Sequence, residues 1–484
     1  MLIPKPMHAQ EETTPMPSPK PGLTLTPMPK LEKPKLDNMR DEASEETRSA
    51  EALDRDVLVV EPGTAHGRVR VPPSKSVAHR LIVAASLATG RSYVRGVDLS
   101  DDIRATLACS QALGAQIDIV EGSGSGAGNR DHRCDVTIEG VGAGVRDSAL
   151  LSSSRLALPF ARHRVLECGE SGSTLRFFIP IALLSPLPTE FRGAASLFAR
   201  PLGVYEELCA RQGLVWQRRE HSLTVQGSLK PGNIQVAADV SSQFISGLLF
   251  ALPFLESDSV LTLAGSVESR SYIDLTRQVL SFSGVQSRWE DSTHVSIPGA
   301  QHAQSVDEYV PGDFSQAAVF FAMNLLGSDI DIQGLPEHTR QGDAAFADLA
   351  HMLTEPDPII DLSQTPDLGP VLFVLAAMTN GAQFVGVRRL RVKESDRVST
   401  MLQELSACGV QATESQDAVT IVAGIHPPSR TLCAHHDHRV AMALALVLTK
   451  FGGRLRGFRC VKKSYPGFWQ DIAELGIRLH VQPR

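Results

Sequence analysis

Four stretches of this chain repeat one order of events: a strand-like run, a glycine, a polar loop carrying Asp or Arg, and a helix. They cover 92–117 (Gly96, Asp102), 260–286 (Gly265, Asp274), 329–353 (Gly334, Asp343) and 382–411 (Gly386, Asp396). Three leave their helix at Gly114-Ala115, Gly284-Val285 and Gly409-Val410. A unit of this kind cannot bury its apolar face alone and must stack on its neighbours, so the repeat constrains the architecture more than any single motif does. Copies occur in both halves, and 484 residues exceed what one core supports. The expectation is an α/β protein of two similar domains rather than one continuous sheet.

The loops of the repeat carry the chemistry. Arg391-Val392-Lys393-Glu394-Ser395-Asp396-Arg397 packs charge into a position where a solvated turn would carry Gly, Pro or Asn. Such a run is most often merely solvated, yet similar ones recur. Lys75-Ser76 and Arg80 open the Ala/Leu-rich helix from Leu81. Cys168-Gly169-Glu170-Ser171-Gly172-Ser173-Thr174-Leu175-Arg176 leads into an apolar run from Phe177 and lacks the Lys-Ser/Thr ending of a nucleotide-binding loop. Ser241-Ser242-Gln243 opens a helix from Ile245, Ser269-Arg270-Ser271-Tyr272 sits at the matching place in the next unit, and Arg200-Pro201 follows a strand-like segment. Asp367 precedes a helix from Val371, where local chemistry favours an N-cap. His435-His436-Asp437-His438-Arg439 precedes one from Val440, and Lys462-Lys463-Ser464-Tyr465-Pro466 one from Phe468.

Capping explains hydroxyls at helix starts but not cations there. Helix N-termini attract anions through free N–H groups and the dipole, and added basic side chains strengthen the attraction. If the repeats aim these ends at one place, a cationic cavity for phosphates and carboxylates results inside a protein of net charge −7. That overall acidity and an aromatic content of 5% argue against a nucleic-acid partner. The histidines lie too close together on one turn to converge on a metal, so none is expected. Seven scattered cysteines without a CxxC pair read as free thiols of a reducing cytoplasm. No run approaches the ~20 apolar residues of a membrane span, and acidic residues in the N-terminal stretch argue against a transit peptide. Residues 1–55, with nine prolines before Lys35 and no aromatic side chain, read as a disordered tail. The Gly/Ser-rich run 122–128 reads as a surface loop.

The ordered set PSKSVAHR, GESGSTLR, ARPL, DVSSQF, SRSYID, VPGDFSQAA, RQGD, TPDLGP, LRVKESDR, HDHRVAM and KKSYP, spread over about 57–484, closely resembles the EPSP synthase family of enolpyruvyltransferases. The resemblance implies two inside-out α/β domains, each of three βαβαββ-type repeats, with the active site in the cleft between them. The domains would be 74–311, and 56–73 joined to 312–484. It implies transfer of the enolpyruvyl group of phosphoenolpyruvate to the 5-hydroxyl of shikimate 3-phosphate, with no cofactor and no metal, in a cytoplasmic monomer.

By resemblance, shikimate 3-phosphate is held by Lys75, Ser76, Arg80, Ser241, Ser242, Gln243, Ser269, Tyr272, Asp367 and Lys393. Phosphoenolpyruvate is held by Lys75, Gly172, Arg200, Gln243, Arg397, Arg439 and Lys463. Catalysis falls to Glu394 as the acid/base at C3, with the raised pKa of a buried carboxyl, and to Asp367 as the base for the 5-hydroxyl. Lys75, Arg397 and Lys463 stabilise charge in the tetrahedral intermediate. The chain departs from the commoner family pattern at Glu170, often Asn, at Ser173, often Thr, and at Arg389, often Asn in the family's shikimate-binding set, which the resemblance keeps as a contact. Gly172 leaves room for glyphosate, so inhibition by it is expected. The sister enzyme acting on UDP-N-acetylglucosamine has Lys-Asn where this chain has Lys75-Ser76, and its reactive loop cysteine has no convincing match here.

Overall fold

In the computed structural model, which describes residues 56–121, 133–142 and 164–483, five four-stranded sheets share one pattern. A parallel pair is extended on one side by two antiparallel strands. Three of these sheets are Asp307–Tyr309 with Arg91–Asp98, Arg133–Glu139 and Gln116–Glu121; Arg164–Glu167 with Thr189–Arg192, Ser222–Gln226 and Val215–Arg218; and Gly232–Ala237 with Ser259–Ala264, His294–Ile297 and Arg288–Trp289. The other two are Ile359–Asp361 with Ala382–Val385, Ala418–Ile421 and Ala412–Glu414, and Leu432–Cys433 with Gly453–Arg456, Val57–Val60 and Leu479–Gln482. The sixth copy is the parallel pair His66–Arg70 and Asp329–Gln333. The expected tail 1–55 and loop 122–128 lie outside the described residues.

The repeat's glycine, directly after the strand at Gly265, Gly334 and Gly386 and at the bulge within Arg91–Asp98 at Gly96, has a backbone reason. Gly96, Gly265, Gly334 and Gly386 have φ of 70°, 84°, 90° and 69°, a region that a side chain makes costly. At Gly386 a Cβ would also lie 2.6 Å from the Asp361 carboxylate. The turn therefore swings each strand into the polar loop that opens the next helix.

Two hydrophobic cores form. One runs from Val77 to Val310; the other joins Leu58, Val60, Ala65, Val69 and Val71 to residues from Ala317 to Ile477. Helices lie inside and sheets outside. The helix Gly369–Met378 is buried from Gly369 through Ala377, and His438–Phe451 from His438 through Thr449, as expected for helices apolar on all faces. The two chain crossings between cores lie side by side. Pro73 bridges Gly312, Ser74 N donates to Pro311 O (2.7 Å) and Asp313 N to Pro72 O (2.9 Å). On that basis we propose the domain boundaries 74–311, and 56–73 with 312–484.

Close helix approach in the first core depends on one glycine. The helices Gly172–Ala182 and Ser242–Ala251 stack Phe177 on Phe250 at 5.3 Å, and a Cβ at Gly247 would overlap Arg176 O and the Tyr205 hydroxyl. Backbone cannot yield as a flexible side chain does, so Gly247→Ala is expected to destabilise by about 1–3 kcal/mol. Urea unfolding checks this, with Gly203→Ala, where a Cβ meets nothing within 4 Å, as the control; equal midpoints for the two variants would contradict it.

Local expectations shift in places. The helices expected from Leu81, Phe177 and Val440 start earlier, at Lys75, Gly172 and His438, because their polar openings already have helical geometry. Arg200 follows the short helix Ala195–Ala199, not a strand. Asp367 does not cap its helix: it sits within a 3-10 turn, Pro366–Leu368, with its carboxylate turned to cations.

Candidate active site

The helix starts converge on one cleft. It is lined by residues of both cores, among them Lys75, Ser76, Gly172, Ser173, Ser242 and Gln243 from the first and Asp367, Lys393, Glu394, Arg397, His438 and Arg439 from the second. Eight basic side chains face it against four carboxylates, an excess of positive charge inside an acidic protein. Two of the opening helices borrow or share their caps. Ser74 makes no side-chain cap, and Asp313 from the other crossing accepts from Lys75 N at 3.2 Å. Asp437 caps the His438 helix through Arg439 N (2.9 Å) and also grips Arg397. Capping and charge placement are thus one network.

Arg397 is the centre of the second-core side. Only 1% exposed, it donates from Nε to Asp437 Oδ2 (2.8 Å), from Nη1 to Asp367 Oδ1 (2.8 Å) and from Nη2 to Glu394 Oε2 (2.7 Å). Lys393 Nζ lies 3.2 Å from Asp367 Oδ1, and Arg439 Nη2 3.8 Å from Asp367 Oδ2. These contacts correct one expectation. Burial alone would raise the Glu394 carboxyl, but Arg397, with Arg200 and Lys75, outweighs it and holds Glu394 well below the usual carboxylate range. The same contest, with Lys393, Arg397 and Arg439 opposing burial, holds Asp367 low. Both are carboxylates in the ligand-free protein.

On the first-core side Lys75 Nζ pairs with Asp102 Oδ2 at 2.9 Å. Burial works against its ammonium, but Asp102 and Glu394 prevail and raise its pKa. Arg176 donates from Nη1 to Gln243 Oε1 (2.7 Å), and Gln243 Nε2 to Ser173 Oγ (2.9 Å), which spaces the glycine loop from the amide. A Cβ at Gly172 would lie 2.8 Å from Arg176 Nη1 and 3.1 Å from Arg200 Nη1, so glycine there keeps two guanidinium groups close to the backbone. Among the described residues the Arg200 guanidinium has no hydrogen bond, and it points into the cleft unspent.

The cleft brings together Lys75, Ser76, Arg80, Gly172, Arg200, Ser241, Ser242, Gln243, Ser269, Tyr272, Asp367, Lys393, Glu394, Arg397 and Arg439. Arg80 stands behind the others. Its Nε is spent on Thr276 Oγ1 (2.7 Å) and its Nη1 on Ser76 O (2.7 Å), and burial pushes its pKa down to about 10. Tyr272 donates to Asp343 Oδ2 (3.2 Å), whose carboxyl is pushed up to about 6 by burial and by Asp367. Lys463 does not line the cleft. Its ammonium is paired with Glu170 and with His436 O (3.2 Å).

Sequence reasoning assigned no role to Asp102, Asp313, Ser173, Arg176 or His438, all of which line the cleft, as does Arg389, which the resemblance had placed in the shikimate-binding set. Asp102 and Asp313 had a signal, since both stand at the helix start where the repeat places its polar residue. His438 had none beyond its neighbours. Burial, then Lys75, holds it well below its ordinary pKa and therefore neutral. His435 turns away, its Nε2 2.8 Å from Glu404 Oε1.

The family model described as EPSP synthase (3-phosphoshikimate 1-carboxyvinyltransferase) matches residues 59–135 and 144–472. The chain belongs to the EPSP synthase family. It is 36% identical over 441 residues to the 3-phosphoshikimate 1-carboxyvinyltransferase of Clostridium kluyveri, covering 86% of this chain and 96% of that one. To that of Clostridium perfringens strain ATCC 13124 it is 34% identical over 441 residues, covering 87% and 98%. Among solved structures, an EPSP synthase from Acinetobacter baumannii superposes with a TM-score of 0.67 at 24% identity, over 88% of this chain and all of that one. The enolpyruvyl transferase NikO from Streptomyces tendae gives 0.66 at 14% identity, over 89% and 99%. These two structures share the two-domain α/β fold.

Proposed function

We infer that the chain transfers the enolpyruvyl group of phosphoenolpyruvate to the 5-hydroxyl of shikimate 3-phosphate, releasing phosphate, within aromatic amino-acid biosynthesis. Family membership supports this activity. The observation that carries the residue roles is the Arg397 cluster, in which one buried guanidinium holds Glu394 and Asp367 beside an excess of cations.

Both substrates are polyanions, which the cationic cleft suits. Arg200 and Arg439, with Lys75 and the backbone at Gly172, hold phosphoenolpyruvate; Ser76, Ser241, Ser242, Ser269, Tyr272 and Lys393 hold shikimate 3-phosphate. Forked guanidinium donors match carboxylate and phosphate oxygens in pairs. In the addition step the acceptor hydroxyl attacks C2, its proton passing to Asp367, while C3 takes a proton from Glu394. In the elimination step Glu394 removes a proton from the new methyl group, the C2–C3 double bond re-forms and phosphate leaves with its bonding pair. Lys75 and Arg397 stabilise charge at the tetrahedral centre. Glu394 begins as a carboxylate, so it must gain a proton before addition. An incoming substrate anion competes for Arg397, and loss of that partner raises the carboxyl into a range where it can serve as acid.

Phosphate release from phosphoenolpyruvate, followed with and without shikimate 3-phosphate, tests the reading. Release is expected only with the acceptor present; no release, or release independent of it, would sink the assignment.

Lys463 stands outside the cleft because Glu170 holds it, and we place it on the phosphoenolpyruvate side once that pair opens. The Lys463 and Glu170 side chains are 22% and 44% exposed, and such pairs contribute about 0–1 kcal/mol. Glu170→Gln is therefore expected to lower KM for phosphoenolpyruvate by about two- to fivefold with kcat nearly unchanged. Steady-state kinetics at saturating acceptor checks this, and a rise in KM would contradict it.

A further inference from the structure

We propose that Glu404, which lies outside the cleft, is a positioning residue for the phosphoenolpyruvate side: it holds the turn His435-His436 in a strained conformation that sets Asp437 against Arg397 and aims Arg439. This rests on the activity inferred above. Glu404 belongs to the helix Arg397–Ser406, and its side chain is fully buried. Arg397 opens that helix, and Glu404 follows two turns later on the same buried face. Neither Glu404 nor Arg430, Cys433 or His435, which it grips, lines the cleft.

Both carboxylate oxygens of Glu404 are filled. Oε1 accepts from His435 Nε2 (2.8 Å) and Arg430 Nη2 (3.1 Å), and Oε2 from Arg430 Nη1 (2.9 Å) and Cys433 N (3.1 Å). An ionised carboxylate only accepts, so the His435 ring carries its proton on Nε2. Burial works against the charge, yet the bonds from His435, Arg430 and Cys433 prevail and hold the pKa of Glu404 below its ordinary value. A buried ion pair adds little stability over well-packed apolar side chains. What this one secures is the path of the backbone from Cys433 to His435.

That path leads into a costly turn. His435 and His436 have φ of 50° and 57°, a left-handed conformation that persists where surroundings enforce it. Among the described residues they are the only adjacent pair of non-glycine residues with positive φ. Asp437 follows at once, fully buried, and accepts from Arg397 Nε (2.8 Å), Ser395 Oγ (3.1 Å) and Arg439 N (2.9 Å). His436 O accepts from Lys463 Nζ (3.2 Å). Helix and turn are therefore tied at two points, Asp437 to Arg397 at the helix start and His435 to Glu404 two turns on. With the second tie cut, the turn relaxes to ordinary backbone and carries Asp437 and Arg439 with it.

Glu404→Gln, His435→Ala and the double variant Glu404→Gln/His436→Gly are compared with wild type by phosphate release, each substrate being varied at saturation of the other. In Glu404→Gln, KM for phosphoenolpyruvate is expected to rise about 10- to 100-fold, the range set free when strained residues lose their support. KM for shikimate 3-phosphate should change by less than about threefold, because most of its holders lie on the other core. Glycine adopts positive φ cheaply, so adding His436→Gly should recover at least about fivefold of the loss. A purely structural Glu404 would lower the folded fraction, and so the apparent kcat, with both KM values unmoved. That result overturns the proposal, as does an equal rise in both KM values or a rise that glycine does not relieve. If Glu404→Gln does not fold, His435→Ala decides alone, since it frees the turn while Arg430 still answers the buried carboxylate. There a KM for phosphoenolpyruvate at least about threefold higher supports the proposal, and an unchanged one overturns it. Wild type inactive with both substrates would instead overturn the activity itself, and the proposal with it.

Discussion

Glu394→Gln is expected to lower kcat by about 10³, within the range of 10²–10⁴ for loss of a positioned acid/base, while KM for both substrates stays within a few-fold. That factor is about 4 kcal/mol of barrier. The amide keeps the size of the side chain and can still meet Arg397, but it cannot carry a proton between addition and elimination. The pH profile adds a sign that a merely structural Glu394 would not produce. In the free protein Glu394 is held well below the usual carboxylate range by Arg397 and its neighbours, against the effect of burial. Its limb in kcat/KM, which reports the free enzyme, should therefore lie at low pH. In kcat, which reports the bound complex, the limb should move upward, because phosphoenolpyruvate competes for Arg397. Rate profiles from about pH 4 to 9 check this. A mutant as fast as wild type, or limbs that coincide in kcat and kcat/KM, would remove Glu394 from the role.

Arg397→Met should cost stability as well as activity. The guanidinium is 1% exposed and answers Asp437, Glu394 and Asp367 together; deleting it leaves buried carboxylates uncompensated, a change that typically costs about 3–5 kcal/mol. The pH dependence follows from the directions of the shifts. Glu394 and Asp367 have folded pKa values below those of the unfolded chain, about 4.3 and 3.9. Their contribution to wild-type stability is therefore present above those unfolded values and lost as pH falls through the folded ones. In Arg397→Met the same carboxyls gain by protonation, so the gap between the two proteins should narrow below about pH 4. Urea unfolding at pH 7 and in that acid window measures it. A gap that is constant with pH, or absent at pH 7, would show that Arg397 is not the counter-ion of these groups.

Much of this was legible before any coordinate. The glycine of each repeat marked a turn that only a residue tolerant of positive φ makes cheaply, as Gly96, Gly265, Gly334 and Gly386 bear out. Two of the six sheets escaped the repeat. The Leu432 sheet takes its strand Val57–Val60 from the opposite end of the chain, and the Arg164 sheet opens its helix with small residues rather than Asp. Local pattern cannot show a pairing that only the closed fold brings together.

The site divides the same way. The sequence by itself determined that cations and hydroxyls recur at helix starts, and so that a polyanion belongs there, because dipole and side-chain type are local properties. Tertiary structure alone decided what those groups do to one another. It turned Asp367 from a plausible cap into a partner of Lys393 and Arg397. It drew Lys463 away from the cleft to Glu170, set Arg389 against Ser269 across 120 residues of chain, and depressed a carboxyl, Glu394, that burial alone would raise. The physical reason is range. A helix end is written within four residues, whereas a pKa or an ion pair is fixed by which distant charges the fold places within a few ångströms, in a medium that screens them far less than water.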